Sequence, residues 1–345
     1  MQRITENRPL ARERRGWGVE GIGGPGVITA DRPDRLCGSI LRALVYYDLF
    51  GYPLTAAEVE RFIDEPLEDR RMIYDRLTGL MEQGWIAELE GFWYLQDRGE
   101  EVVRRRLRME RRGLEMWEVA ERFARLMRHV PFIRGVLISG QLSRYVADEK
   151  SDIDYFIVAE PNRLWIARTI LVLLRRTLLL NNRTWFCTNF FVTSDNLEID
   201  ERDVYAACET ASVKPLWNRE IYRRFTAANE WIREFYPNHT PSPELFIPGV
   251  PERRSHLQRL LESLIPAGAA ERLDLRLMLK MREYWNRRYP EMDPGVRRRS
   301  LRSTRDESRA HAGDYSPVIL AAYRRELERR GIPTRSMARR ADGGE

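Results

Sequence analysis

Apolar residues recur at helical spacing three times in the first third of the chain. An apolar position every three or four residues gives a helix one core-facing side, so the pattern predicts helices over 36–50, from Thr55 onward and over 72–81. Two short apolar runs follow at 85–89 and 92–95, separated by a Glu-Gly pair. Apolar runs on either side of a turn dipeptide predict a β-hairpin.

A long charged segment comes next and keeps a helical period from 97 to 130. We expect one connecting helix here, since its second half carries apolar residues on one side. Its arginines predict a solvated charged face, with nucleic-acid contact as the alternative. These arginines are Arg104, Arg105, Arg106, Arg108, Arg111 and Arg112.

The middle of the chain changes period. Residues 136–138 form a short apolar strand pattern, a small polar turn follows, and Asp152 opens a second strand pattern through Val158. An apolar helix over 163–180 and a third strand over 185–192 come next. Beyond these, helical spacing dominates, which gives the chain an α+β pattern with a mixed sheet.

Three helices followed by a hairpin resemble a winged helix-turn-helix domain, which implies a DNA-binding or protein-binding role. We therefore divide the chain into six predicted parts. They are a disordered arm (1–33), a winged-helix-like domain (34–96), a connecting helix (97–130), a mixed-sheet core (131–212), a helical C-terminal region (213–333) and a disordered tail (334–345).

Charge and composition limit the cellular compartments in which the protein is expected. The net charge is +6, and only three of the 58 basic residues are lysines. Three widely spaced cysteines predict neither a disulfide framework nor a zinc site. No apolar run precedes Gly21, so no secretory signal is expected, and arginines interrupt the most apolar stretch, which argues against a membrane span. We expect a cytoplasmic protein without a membrane partner.

Two carboxylates are the strongest chemical signal. Asp152 and Asp154 stand two apart on a strand pattern, so both side chains are expected on one face of the strand. Neighbouring carboxylates repel unless a cation lies between them, and their oxygens suit Mg²⁺ or Mn²⁺. The turn before them offers backbone N–H groups to phosphate oxygens. The predicted nucleotide contacts in this turn are Ser139, Gly140, Gln141, Ser143 and Arg144.

The order of these features resembles the DNA polymerase beta-like nucleotidyltransferase superfamily: an apolar strand, a Ser-Gly turn, a spacer and Ser-Asp-Ile-Asp at 151–154. The match to the superfamily covers about residues 133–195 and implies that the core (131–212) is a nucleotidyltransferase core. A narrower resemblance is to a group of bacterial nucleotidyltransferase-domain proteins. It rests on the segments 151–158, 161–169, 187–191, 227–231 and 236–238. The resemblance implies an NTP site and a divalent-metal site, with Asp152 and Asp154 as catalytic metal ligands.

The chain departs from the superfamily pattern twice. Gln141 stands where the superfamily usually has serine, and Asn189 is the central polar residue of the strand that usually carries a third acid. We take Asn189 as the third metal ligand, with Asp195 or Glu198 as alternatives. An amide carries no charge and is a poor general base, so this departure affects catalysis more than nucleotide binding.

The expected function is metal-dependent transfer of a nucleotidyl group from an NTP to an unidentified acceptor, a nucleic acid or a protein among the candidates. The alternative is a non-catalytic nucleotide-binding regulator or adaptor, whose winged-helix-like domain binds DNA or protein. The pattern leaves the acceptor, the choice of NTP and the oligomeric state open.

Overall fold

A computed structural model describes residues 34–178, 180–182, 184–241, 251–310 and 315–334. The first described part is a bundle of three helices with a small antiparallel sheet. Its elements are α1 (Arg35–Asp48), β1 (Leu54–Thr55), α2 (Ala56–Phe62), α3 (Arg71–Glu82), β2 (Ile86–Leu89) and β3 (Phe92–Leu95), with the strands in the order β1-β3-β2. The predicted helices and hairpin are present, and β1 adds a third strand. The predicted arm 1–33 lies outside the described residues, as does the predicted tail beyond Thr334.

Local sequence explains where α2 begins. The Thr55 side chain accepts a hydrogen bond from the Glu58 backbone N–H at 3.2 Å, and the Glu58 carboxylate accepts one from the Thr55 N–H at 2.9 Å. This reciprocal pair satisfies two donors that a helix start leaves free. A long helix, α4 (Glu101–Met127), then leads to the large sheet.

The large sheet has five strands in the order β7-β4-β5-β6-β8. They are β4 (Ile133–Ile138), β5 (Asp154–Ala159), β6 (Cys187–Thr193), β7 (Lys214–Trp217) and β8 (Glu307–Arg309). Only β5 and β6 run parallel, and the helix α5 (Leu164–Leu178) makes the crossover that parallel neighbours require. The sheet is therefore mixed, as predicted.

Two strands of the large sheet come from beyond residue 212. Strands β7 and β8 complete the sheet, although both fall inside the region predicted to be helical. The arginine-rich segment that precedes β8 begins with a short helix, α11 (Pro294–Ser300). These strands have four and three residues, so their place depends on pairing with distant strands rather than on a local period.

Helices cover both faces of the sheet. The face that carries Tyr155 and Ile157 packs against α5, the second half of α4 and α10 (Ala267–Arg288). The opposite face carries Phe156 and Val158. It packs in one buried cluster with α1, α2, α3, α6 (Val204–Ser212), α7 (Arg219–Ala228) and α12 (Tyr315–Arg329). Residues of α1 and of the large sheet therefore share one hydrophobic cluster.

The helical structure that follows β7 is interrupted at Asn229. Its buried side chain accepts hydrogen bonds from the Ile199 N–H and from Trp231 Nε1, and donates to Leu197 O and Phe225 O. This network separates α7 from α8 (Ile232–Phe235) and gives Asn229 a structural role. The remaining helix is α9 (His256–Ser263). Within the described ranges, no helix combines the length and apolar character of a membrane crossing.

Candidate functional site

The end of β4 and the start of β5 place the predicted turn beside the predicted carboxylates. Ile138 pairs with Tyr155 across the two strands, and the Ser139 N–H donates to the Asp154 carbonyl at 3.0 Å. The turn therefore leaves the sheet where Asp154 enters it. Ile153, between the two aspartates, is fully buried, so Asp152 and Asp154 emerge together on the other side.

The structure brings Asp152, Asp154 and Cys187 together. A carboxylate oxygen from each aspartate and Sγ of Cys187 all lie within 4.8 Å of one another. Cys187 is the first residue of β6 and pairs with Asp154 across the parallel strands, which explains its position. Two carboxylate oxygens and a thiol sulfur form a donor set that could hold a divalent metal ion.

The electrostatics of this cluster favour a cation. Burial and the neighbouring Asp152 charge raise the pKa of Asp154 well above its usual range, and the Glu209 carboxylate adds to the rise. Burial and the two aspartates also raise the pKa of the Cys187 thiol. A proton is thus retained among these groups at neutral pH, and a bound cation would replace it.

Gly140 allows the close approach of the turn to Asp154. Its φ is +65°, a conformation that glycine adopts readily, and a Cβ added there would lie 2.6 Å from Asp154 Oδ2. Any larger residue would push the carboxylate out of the cluster. The turn continues as a short 3₁₀ helix over Gln141–Arg144. One turn of helix has almost no macrodipole, so the expected attraction of phosphate to a helix end is weak here.

Two of the predicted nucleotide contacts are engaged inside the protein. The buried Ser143 hydroxyl donates to Gly140 O at 2.7 Å, which uses its only proton. Arg144 forms an ion pair with Glu209 at 2.6 Å and donates to Ser212 Oγ at 3.2 Å. Both side chains hold the turn in place, so their predicted role in binding phosphate directly is not favoured.

Gln141 and Ser139 remain at the open side of the turn. Gln141 is exposed, and its Oε1 accepts a hydrogen bond from Ser151 Oγ at 2.7 Å. This bond orients the amide and leaves its NH₂ group to face outward. Ser139 is half-buried, and its hydroxyl lies 3.4 Å from the Asp154 carbonyl oxygen.

Asn189 lies beside Cys187. Its Nδ2 donates to Cys187 Sγ at 2.7 Å, so the amide touches the cluster through the thiol. The alternatives Asp195 and Glu198 come after the opposite end of β6, where Thr193 pairs with Ala159. At about 3.3 Å per strand residue they lie roughly 20 Å or more from the aspartates, too far to bind the same ion.

Sequence reasoning missed Cys187 and Glu209. Cys187 and Asn189 have the same i, i+2 spacing as the two aspartates, and this signal could have identified the cysteine as facing them. Glu209 has no such signal, because its position depends on α6 packing against the turn through Arg144. Several arginines of α4 form ion pairs with nearby carboxylates, such as Arg104 with Glu100 and Arg108 with Glu101. These pairs are typical of a solvated charged helix face.

Comparisons of the chain with protein-family models, with curated proteins and with solved structures find no significant match.

Proposed function

We propose that the chain transfers a nucleotidyl group from an NTP to an acceptor hydroxyl, with a divalent cation held by Asp152 and Asp154. One observation carries this proposal: the two carboxylates converge beside a turn at Gly140, where a side chain would collide with Asp154. A phosphate chain bound to the same cation would lie against this turn. The resemblance to the nucleotidyltransferase superfamily supports the same chemistry.

The residues would divide the work as follows. Asp152 and Asp154 hold the cation, and Cys187 offers a third donor. The backbone N–H groups after Gly140 and the outward NH₂ of Gln141 donate to phosphate oxygens. Arg144 and Ser143 fix the turn from within. The bound cation, Mg²⁺ or Mn²⁺, would neutralise phosphate charge. The mixed oxygen and sulfur donors favour Mn²⁺ over Mg²⁺.

In the transfer itself, the acceptor oxygen bonds to the α-phosphorus of the NTP and pyrophosphate leaves. The acceptor proton needs a base, and both aspartates would be occupied by the cation. Glu209 is a further carboxylate close enough for its charge to contribute to the raised pKa of Asp154. One of its oxygens binds Arg144, which leaves the other to accept a proton.

A second function deserves a test because the third ligand position carries no fixed charge. Cys187 and Asn189 stand there instead of an acid, so a second, acceptor-activating cation would bind weakly. A site of this kind can bind an NTP without turning it over. The chain would then act as a nucleotide-binding regulator or adaptor, with the 34–96 region as its contact for DNA or protein.

The experiment is incubation with each α-³²P-labelled NTP and Mn²⁺ or Mg²⁺, with and without cellular RNA and protein. Transfer of label to either fraction, lost in Asp154→Asn and retained in Asp195→Asn, supports the transferase. The Asp195 variant is a matched control because it removes an exposed carboxylate beyond the far end of β6. Cation-dependent NTP binding without transfer would support the regulator, and no NTP binding would exclude both.

A further inference from the structure

Two arginines occupy core positions of α5. Leu164, Arg168, Leu171 and Arg175 follow one another at intervals of four, three and four residues, which places them on one helix face. Leu164 and Leu171 are fully buried, and the arginines are only 7% and 9% exposed. Arginine is almost never buried to this extent unless it has an anionic partner.

Arg168 has no such partner in the part of the chain that the structure describes. Its Nε is buried and makes no hydrogen bond, and it forms no ion pair. Its guanidinium lies 5.5 Å from the centre of the Trp165 ring. Burial, with repulsion from Arg175 and Arg176, lowers the pKa of Arg168 to about 10. The group is a cation in an environment that disfavours a cation.

The buried acid that contacts the start of α5 has another role. Asp274 of α10 accepts hydrogen bonds from the backbone N–H groups of Trp165 and Ile166 at 2.8 and 3.0 Å. It therefore caps the start of α5 and is not a partner for Arg168. A buried charge without a counterion, such as that of Arg168, is costly, and binding of an external anion is the simplest way to offset this cost.

We propose that α5 carries a binding site for a phosphate group, centred on Arg168 and completed by the positive charges of Arg175 and Arg176. The guanidinium fork of Arg168 matches phosphate geometry, and the nearby positive charges of Arg175 and Arg176 add to the attraction of an anion. Arg176 is exposed and opens the cluster to solvent. The Nε of Arg168 is its only nitrogen that is both buried and without a partner, so its other nitrogens reach solvent.

This site is separate from the aspartate cluster. α5 packs on the sheet face that carries Tyr155 and Ile157. Asp154 shares the opposite face with Phe156, because side chains alternate along β5. The phosphate site therefore does not depend on the proposed transferase activity, and it can be tested without an NTP.

The test is thermal unfolding of the full chain during titration with inorganic phosphate at constant ionic strength, set by exchange against sodium chloride. We expect a saturable rise in Tm of a few degrees in the wild type, because a ligand that binds only the folded state stabilises it. Arg168→Met should lose this response. In phosphate-free buffer the same variant should match or exceed the wild-type Tm, because it removes an uncompensated buried charge.

Three further variants keep the test decisive. Arg176→Ala changes an exposed residue, so its folding is not at risk, and it should weaken phosphate binding several-fold. Arg122→Met removes an exposed arginine of α4 that pairs with Glu118, and it should leave the response unchanged. Asp154→Asn should also keep the response, since the aspartates lie on the other face. Loss of NTP binding with retained phosphate binding would separate the two proposals.

Competition identifies the source of the phosphate. If a short single-stranded RNA displaces radiolabelled phosphate from the wild type, the natural ligand is a nucleic-acid backbone phosphate. Displacement by pyrophosphate but not by RNA would place it on a small molecule, and either result supports the site. A titration without a Tm shift, or an equal shift in Arg168→Met, would overturn it.

Discussion

Arg106 on α4 and Arg168 on α5 are two buried arginines with opposite surroundings. Arg106 is 4% exposed, contacts Glu58 at 3.0 Å and Glu110 at 2.8 Å, and lies 3.7 Å from the centre of the Tyr52 ring. Burial alone would lower the pKa of Arg106, but Glu58 and the other partners raise it. Arg168 is buried to a similar extent but has no carboxylate partner among the described residues. The comparison indicates that the presence of a counterion, rather than the degree of burial, distinguishes a structural arginine from a candidate ligand-binding arginine.

The same contrast holds for carboxylates. Asp64 accepts hydrogen bonds from Arg42 at 2.7 and 2.6 Å, and these hold α1 to the loop after α2. Asp154 instead faces Asp152. Asp154 and Arg168 thus each lie beside groups of like charge and lack a counterion in the described part of the chain. Such clusters cost stability unless a ligand of opposite charge offsets them, which is typical of binding sites.

The largest effect is expected from Arg106→Met. This change leaves Glu58 and Glu110 without their shared cation in a partly buried position. The free energy of unfolding should fall by about 3 kcal/mol, measured by urea denaturation. Arg108→Met is the control, since Arg108 forms an exposed pair with Glu101 and its loss should change the free energy of unfolding far less. Equal effects of the two variants would contradict the distinction between buried and exposed pairs.

How far the sequence predicted these contrasts depends on the range of the interactions. The start of α2 was predictable because Thr55 and Glu58 are three residues apart. The proximity of Asp152 and Asp154 followed from strand alternation alone. The partner of Arg144 could not be predicted, since Glu209 is 65 residues away and reaches it only after α6 has packed. The same holds for β8, which becomes a strand by pairing with β6 across more than a hundred residues.

The next effect concerns His239, a buried ring whose neighbours are cations. Its Nδ1 accepts a hydrogen bond from Arg61 Nε at 3.2 Å. Burial, with Arg61, Arg233 and Lys214, lowers the pKa of His239 to about 3. The unfolded chain takes up this proton near pH 6.5 and the folded chain does not, so stability falls as pH decreases below about 6.5.

Between pH 7 and pH 5 this group alone should cost about 2 kcal/mol of the free energy of unfolding. His239→Gln keeps an acceptor for Arg61 and removes the titration, so its stability should change less over the same interval. His256→Gln, which removes an exposed ring, controls for the loss of an imidazole. A wild-type slope that persists unchanged in His239→Gln would assign the pH dependence to another group.

Paired substitutions of aspartate compare the two carboxylate environments directly. Asp64→Asn removes the charge that Arg42 binds and should lower the free energy of unfolding by about 2 kcal/mol. Asp154→Asn removes a repelled charge and should raise it by about 1 kcal/mol in metal-free buffer. Because the folded state holds the Asp154 proton to higher pH than the unfolded state, the gain should grow as pH rises from 5 to 8.5. Urea denaturation at both pH values measures it, and a loss of stability in both variants would remove the contrast.

The smallest effect is a change in metal preference at Cys187. Cys187→Asp places a third carboxylate opposite Asp154, in register across β5 and β6. Without metal this variant should unfold at lower temperature than the wild type, because three carboxylates repel one another more than two. Its affinity for Mg²⁺ should rise about tenfold, since added ligand charge tightens binding of hard cations.

Calorimetric titration with Mg²⁺ and Mn²⁺ checks this result, and the preference for Mn²⁺ should shrink as the sulfur donor is lost. Asn189→Asp should raise metal affinity by a smaller factor, because Asn189 reaches the cluster through the Cys187 thiol. A larger gain from Asn189→Asp than from Cys187→Asp would assign the third ligand to Asn189. The metal would then lie further along β6, held by Asp152, Asp154 and residue 189 rather than by Cys187.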